Sequence, residues 1–283
     1  MHKKIHIPGG TALVGTRSAV LAVDSESPIR KIKVGDFLID NTAVTNQRFA
    51  EFIEATGYQT DAERLGWSYV FYYHLPRDLQ EDSASGAAAA NWWRQMYGAN
   101  WQCINGPEAG TKTLANHPVV HISHNDALAF AKWANGRLPN EAEWEHAARG
   151  GLGDVMFPWG NQEPDDNNFQ PCNIWQGTFP HYNTAADGYE STAPVDSFEP
   201  NGFGIYNMVG NTWEWTVVPY KARSQRAKAK KHAATLKGAM VLKGGSFMCH
   251  KSYCFRYRIA ARSGSMRDST TSHIGFRVVY DVD

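Results

Sequence analysis

The feature that most constrains this chain is that its apolar runs are short and are broken everywhere by turn-forming residues. Stretches such as "DVMFPWGN", "STAPVDSFEPNGFGIYNMVGN", "MVLKGGSF" and "HIGFRVV" set Gly, Pro, Asn or Asp after every few hydrophobic residues. That pattern predicts brief strands and many turns. No βαβ rhythm, internal repeat or long periodic segment is present, and no linker divides the chain, so residues 1–283 read as one domain. Much of it must be loop, and 10 Trp, 12 Tyr and 13 Phe provide apolar mass to order those loops.

Three helices stand out against this background. Thr45 can cap the first, where Phe49, Phe52 and Ile53 recur at helical spacing and Gly57 stops the run. Ser123 and Asp126 form the cap of the second, with Ala127, Phe130, Ala131 and Ala134 on one face. Asn140 and Glu143 open the third, Trp144 and Ala148 point inward, and Gly150 ends it. Two segments read as mobile. Residues 78–93 are low in complexity, a turn or a short helix. Residues 220–238 carry a dense Lys/Arg run, read first as a solvated loop and, as the sharper alternative, as a docking patch for an acidic partner.

Charge and cysteine content exclude several classes. Lys+Arg and Asp+Glu are both 28, which gives no electrostatic reason to expect nucleic acid or a membrane surface as partner. The basic N-terminus has no apolar core of a signal peptide, and no window approaches a membrane span. Four cysteines are too few for a disulfide scaffold, so a cytoplasmic location is expected.

Candidate chemistry begins with "KGGSFMCHKSYCFRYRIAARSG", where Cys249 and Cys254 stand five residues apart. A C-x4-C spacing without a second Cys/His pair is a poor zinc site, whereas two sulfurs suit Cu(I). Arg256, Arg258 and Arg262 would favour a thiolate if they lie within reach. From spacing alone a reducible disulfide or two unrelated core cysteines is the favoured reading. Cys103 and Cys172 are isolated and read as small core residues. Loop oxygens at Asn173, Asp187, Asn207 and Glu214 could serve a hard cation such as calcium, or simply make Asx turns. No G-x-S-x-G, H-E-x-x-H or Walker motif is present, which removes conventional hydrolases and nucleotide enzymes.

Taken together, "RLPNEAEWEHAARGG", "FPWGN", "NIWQGTFP", "TAPVDSFEPNGFGIYNMVGNTWEWT" and "GGSFMCHKSYCFRYRIAARS" resemble the formylglycine-generating enzymes, or sulfatase-modifying factors. The resemblance runs from "IPGGTALVGT" to "IGFRVV" in the family's order. The "RLPNEAEWE" and "GNTWEWT" signatures are shared with sulfoxide synthases and binding modules, while the Cys249–Cys254 signature is much narrower. It implies an α+β, variant C-type lectin-like fold, loop-rich with little regular secondary structure. The implied activity is O2-dependent conversion of a cysteine, in a Cys-x-Pro-x-Arg segment of an unfolded sulfatase, to Cα-formylglycine. Cys249 and Cys254 match the pair that holds Cu(I), which the substrate thiolate would join as a third sulfur.

By the same resemblance Ser246 matches an active-site serine and Trp213 the aromatic beside the oxygen pocket. Tyr253, Trp67, His273 and Pro180 match positions around the substrate. Asn173, Ile174, Asp187 and Tyr189 match one calcium site, and Asn207, Gly210, Thr212 and Glu214 a second. A monomer is expected. There are departures too. Ala131, Ala147, Ile259 and Val278 stand where animal members have disulfide cysteines. Ala43 stands where many relatives have Glu, His273 where Asn is usual, and Trp67 where animal members are acidic. Two alternatives remain at this level: a sister copper oxidase of another cysteine peptide, and a non-catalytic lectin-like binding module.

Overall fold

The structure, a computed structural model, describes residues 2–80, 92–107 and 114–282. Six helices are present among these residues: α1 (Asn46–Thr56), α2 (Asp61–Leu65), α3 (Arg77–Gln80), α4 (His124–Trp133), α5 (Glu141–Arg149) and α6 (Ala227–Thr235). The three expected helices form with the expected caps. The Thr45 side chain accepts the Arg48 N–H at the start of α1, and Gly57 ends it at φ 63°. Ser123 with Asp126, and Asn140 with Glu143, make reciprocal caps on α4 and α5, satisfying N–H groups that a helix start leaves unpaired.

The expected loop over 220–238 is corrected by α6. Its alternating Ala and Lys are good helix formers, and Ala229 is buried while His232 sits edge-on to Tyr220. Of the 78–93 segment, residues 78–80 lie in α3 and 92–93 lead into a strand; 81–91 fall outside the described residues.

Strands are short and the sheets small. Lys4–Ile7, Phe37–Asp40 and Val279–Asp281 form an antiparallel sheet with Phe37–Asp40 in the middle, joining the two ends of the chain. The sheet that carries the site has four strands in the order Ser263–Ser265, Met240–Lys243, Trp213–Pro219, Ile274–Gly275. Its last pair is parallel, the others antiparallel. A separate hairpin pairs Trp67–Phe71 with Trp93–Tyr97.

The main core forms where α1 and α4 cross the sheets. Phe49 stacks on Phe130 with ring centroids 5.8 Å apart, and Phe52 meets Phe130 edge-on at 5.5 Å. Ala131, Ala147, Ile259 and Val278 are all buried in this core, so packed apolar atoms fill the positions of the absent cysteines. Among the described residues no helix is long and apolar enough to cross a membrane.

Candidate functional site

The site begins where the strand Met240–Lys243 ends in two glycines with φ 92° and 73°. A Cβ on Gly244 would lie 2.9 Å from the Met208 carbonyl oxygen, and one on Gly245 3.0 Å from the Tyr257 backbone. Only glycine allows this close turn. It delivers Ser246 into the interior, fully buried. The chain then coils tightly, the Cys249 N–H donating to Ser246 O at 2.8 Å and the Cys254 N–H to His250 O at 2.7 Å.

These two turns bring the sulfurs of Cys249 and Cys254 to 2.7 Å, both as buried free thiols. Burial, and the bond to its neighbour, push the Cys249 thiol up. The hydrogen bond from Cys249, aided by the nearby Arg256 guanidinium, pulls Cys254 down. The pair is therefore arranged as a thiol donating to a sulfur that favours the thiolate. Arg256 is anchored by buried Asp24, at 2.6 Å to Oδ2 and 3.2 Å to Oδ1. The expectation for the other two arginines is corrected: Arg258 pairs with Glu26 and Arg262 with Glu141, both committed to carboxylates elsewhere.

A cavity of about 260 Å³ opens beside the sulfurs. Cys249, Cys254, Ser246, Trp213, Tyr253 and His273 all line it. Trp213 reaches it because the parallel pairing places its N–H 3.0 Å from the His273 carbonyl. The His273 ring lies 4.7 Å from Trp93, its Nδ1 2.6 Å from Thr271 Oγ1. Burial, and then His121, push His273 down to about 3, so its imidazole stays neutral near pH 7. Tyr253 stacks on Phe179 with centroids 4.2 Å apart, and burial pushes its phenol up.

Trp67 and Pro180 do not line this cavity. Trp67 lies against Tyr69, edge-on at 5.1 Å, and Tyr69 lines the wall in its place. The Pro180 carbonyl accepts the Tyr72 hydroxyl at 3.0 Å, behind the Phe179–Tyr253 stack. Tyr69, Trp93 and the strand Ser263–Ser265 were missed by sequence reasoning. Two-residue alternation puts Tyr69 on the face of Trp67, which was the available signal.

The two candidate calcium sets differ. In the first, Asn173 Oδ1 is buried with no hydrogen-bond partner. Asp187 faces the same turn, accepting the N–H groups of Ile174 and Tyr189, each at 3.0 Å, and burial pushes its carboxyl up. Gln176 Nε2 also donates to Asp187 Oδ2 at 3.0 Å and to the Ile174 carbonyl at 2.6 Å, neutral bonds that a cation can replace. The buried orphan oxygen of Asn173, with a desolvated carboxylate on the same turn, fits a hard cation. In the second, Asn207 donates to the Val195 carbonyl at 3.1 Å and Gly210 to Gly244 at 2.9 Å. Glu214 instead takes the Arg277 guanidinium at 2.7–3.0 Å and the Trp144 indole N–H at 2.7 Å. With that carboxylate already engaged, the second set does not fit a calcium ion. Among the described residues no three His, Cys, Asp or Glu side chains cluster as a metal site.

The chain matches the sulfatase-modifying factor enzyme 1-like domain over residues 1–282. It is 47% identical to a formylglycine-generating enzyme of Thermomonospora curvata, covering 98% of this chain and 93% of that one. The mouse formylglycine-generating enzyme is 45% identical over 99% of this chain and 75% of its own. A mouse protein named inactive C-alpha-formylglycine-generating enzyme 2 is 39% identical, over 96% of this chain and 84% of its own. Among solved structures, PvdO from Pseudomonas aeruginosa superposes with a TM-score of 0.66 at 20% identity, covering 99% of this chain and 94% of that one. It shares the loop-rich α+β, variant C-type lectin-like fold, and at that identity the fold alone. Domain match and relatives agree: the chain belongs to the sulfatase-modifying factor, or formylglycine-generating enzyme, family.

Proposed function

We propose that this protein oxidises a cysteine of a sulfatase polypeptide to Cα-formylglycine, with O2 as oxidant and Cu(I) held by Cys249 and Cys254. The client segment we assign is Cys-x-Pro-x-Arg. The observation that carries the reading is the convergence of two buried free thiols, 2.7 Å apart, on the wall of a cavity of about 260 Å³. A binding module has no need of that pair, although relatives named inactive show that the fold by itself does not decide. Two thiols without a carboxylate cluster suit a soft monovalent metal better than Zn2+ or Fe2+. Copper bound there would supply the redox chemistry with O2 that side chains lack.

The chain's own residues do the rest. Cys249 gives its S–H hydrogen bond to Cys254, and Arg256, fixed by Asp24, balances the negative charge. The client thiol would enter beside this pair and be held with its CH2 group against Ser246 and Trp213, which restricts the reacting geometry. Tyr69, Trp93 and Trp213 line the cavity and would shield a bound client thiol from water. The Tyr253–Phe179 stack forms the outer wall along which client backbone would lie. His273 offers a hydrogen bond without a competing charge. Asn173, Ile174, Asp187 and Tyr189 would hold one calcium ion as a structural brace.

A sister oxidase acting on another cysteine peptide is the second reading, favoured by His273 inside the cavity. Mass spectrometry of Cys-x-Pro-x-Arg peptides incubated in air with Cu(I)-loaded protein decides. An aldehyde product is expected, and Cys249→Ser or Cys254→Ser must abolish it. Full activity in both variants would remove the copper-dithiolate assignment. An unreacted sulfatase motif beside another reacted cysteine peptide would favour the second reading.

A further inference from the structure

The basic segment that sequence reasoning left open is an ordered feature of the cavity's surroundings. Lys221, Arg226, Lys228, Lys230, Lys231 and Lys237 are all exposed, and none forms an ion pair among the described residues. Residues 220–238 contain no Asp or Glu, in a chain whose net charge is zero. The helix α6 is also built against local electrostatics. Its first turn has no acidic residue, Arg226 occupies the N-cap without a side-chain cap bond, and Lys228 stands in the first turn. Cations there oppose the helix dipole, and Lys228 and Lys231 repel one another at i,i+3 spacing. Acidic substitutions would relieve all of this, so the cationic face is kept at a cost to the helix.

Where α6 sits matters as much as its charge. Its buried side docks on a strand that lines the cavity and beside Asp24, which anchors the cavity residue Arg256. Leu236, at its C-terminal end, and Tyr220 press on Gly264, where a Cβ would lie 3.2 and 3.0 Å from them. Ser263, Gly264 and Ser265 all line the cavity. His232 of α6 lies 3.5 Å from Asp24, the residue that anchors Arg256 beside the sulfurs. One thin strand therefore separates the reaction cavity from a cationic helix.

We propose that α6 is a docking surface for acidic residues flanking the target cysteine, so that this enzyme favours client polypeptides with a negatively charged stretch near the modified site. The inference rests on the oxidase reading above. A client chain running from the cavity past Ser263–Ser265 would extend toward this helix, which packs against that strand through Leu236. Complementary charge there raises encounter rate and lowers KM without touching the chemical step.

The test uses peptides with one client core, carrying a run of Asp/Glu or of Ser/Gly on its N-terminal or C-terminal side. Turnover by Cu(I)-loaded protein is measured at low and high salt, alongside a variant with Lys228→Glu, Lys230→Glu and Lys231→Glu. The acidic run on one side should lower KM by about tenfold at low salt, with kcat unchanged. That advantage should vanish at high salt and in the variant, while the Ser/Gly peptide behaves alike in both proteins. The variant's melting temperature checks its fold and should not fall, because the new acids suit the helix start.

Equal KM for acidic and neutral peptides overturns the proposal. If no peptide is oxidised, the oxidase reading fails instead, and anisotropy of a labelled acidic peptide on the metal-free protein still reports docking. Binding of RNA or anionic vesicles through these lysines, with no binding of acidic peptide, would also overturn it.

Discussion

Lys243 and Glu145 meet with Nζ and Oε1 2.9 Å apart, both side chains fully buried, three residues before the serine of the active cavity. Glu145 also accepts the Gly15 N–H at 2.7 Å and lies 3.5 Å from Arg149 and Arg223. Burial drags Lys243 down to about 8 against the pull of Glu145. Removing one partner leaves the other charge stranded. Glu145→Gln should cost about 3–5 kcal/mol in urea unfolding, because Lys243 then loses its hydrogen-bonded carboxylate and keeps only the attraction of Glu141. Lys243→Met should cost less, since Glu145 keeps two arginines. A loss below about 1 kcal/mol for Glu145→Gln would show that the pair does not hold the strand that delivers Ser246.

Acid sensitivity should come from histidines buried in the neutral form. His121 and His124 are both buried, and burial pushes each down to about 4 from 6.5. Above pH 6.5 neither state is protonated and they contribute no slope. Below it the unfolded chain takes up protons that the folded chain refuses, so stability falls by up to about 1.4 kcal/mol per pH unit per histidine. Asp126, raised to about 6 by burial, runs the other way: the folded form holds its proton between 3.8 and 6. His273, pushed down to about 3, and His74, pushed down to about 4, add to these two histidines, so with Asp126 opposing them the net slope between pH 6 and 4.5 should be near three protons. His121 has φ 61°, a conformation Asn tolerates, so His121→Asn should flatten that slope in urea midpoints measured against pH. An unchanged slope would refute the assignment.

Backbone geometry at the active turn gives a paired test. Gly245 and Gly66 both have positive φ, 73° and 76°, but only Gly245 faces backbone, with Tyr257 atoms 3.0 Å from an added Cβ. Gly66→Ala should cost about 1–2 kcal/mol from conformation alone. Gly245→Ala should cost more in the same unfolding assay and lower turnover per folded molecule, because Ser246 must move. Equal costs would mean that the close approach at Tyr257 relaxes freely.

Local signals were legible in the sequence and long-range ones were not. Caps and stop residues lie within a few positions of each other, so α1, α4 and α5 could be located from Thr45, Ser123 and Asn140. The proximity of Cys249 and Cys254 was likewise local. The rest of the cavity comes from Tyr69, Trp93 and Ser263–Ser265, brought together by pairing across the whole chain. Glu145 and Lys243 are 98 positions apart, and nothing in either segment names the other. Helix α6 was hidden because its lysines mask the inward spacing of Ala229, Ala233 and Leu236. The resemblance assigned Glu214 to calcium, but its partner Arg277 lies 63 positions away and claims the carboxylate.

That last difference separates the two calcium sets by experiment. Asn173 Oδ1 has no partner and Asp187 is desolvated, so a hard cation there would satisfy one and stabilise the charge of the other. Calcium should raise the melting temperature of the wild-type protein by mass action, and chelation should reverse it. Asp187→Asn should abolish the response, at a calcium-free cost of about 1–3 kcal/mol because the new amide can accept only one of the Ile174 and Tyr189 N–H groups. Glu214→Gln should act on the fold instead. It strands the buried Arg277 guanidinium, lowering stability by about 3 kcal/mol or more, but leaves the calcium-dependent shift intact. A Glu214→Gln variant that keeps its stability and loses the calcium shift would return Glu214 to the metal and reduce its contact with Arg277 to a secondary role.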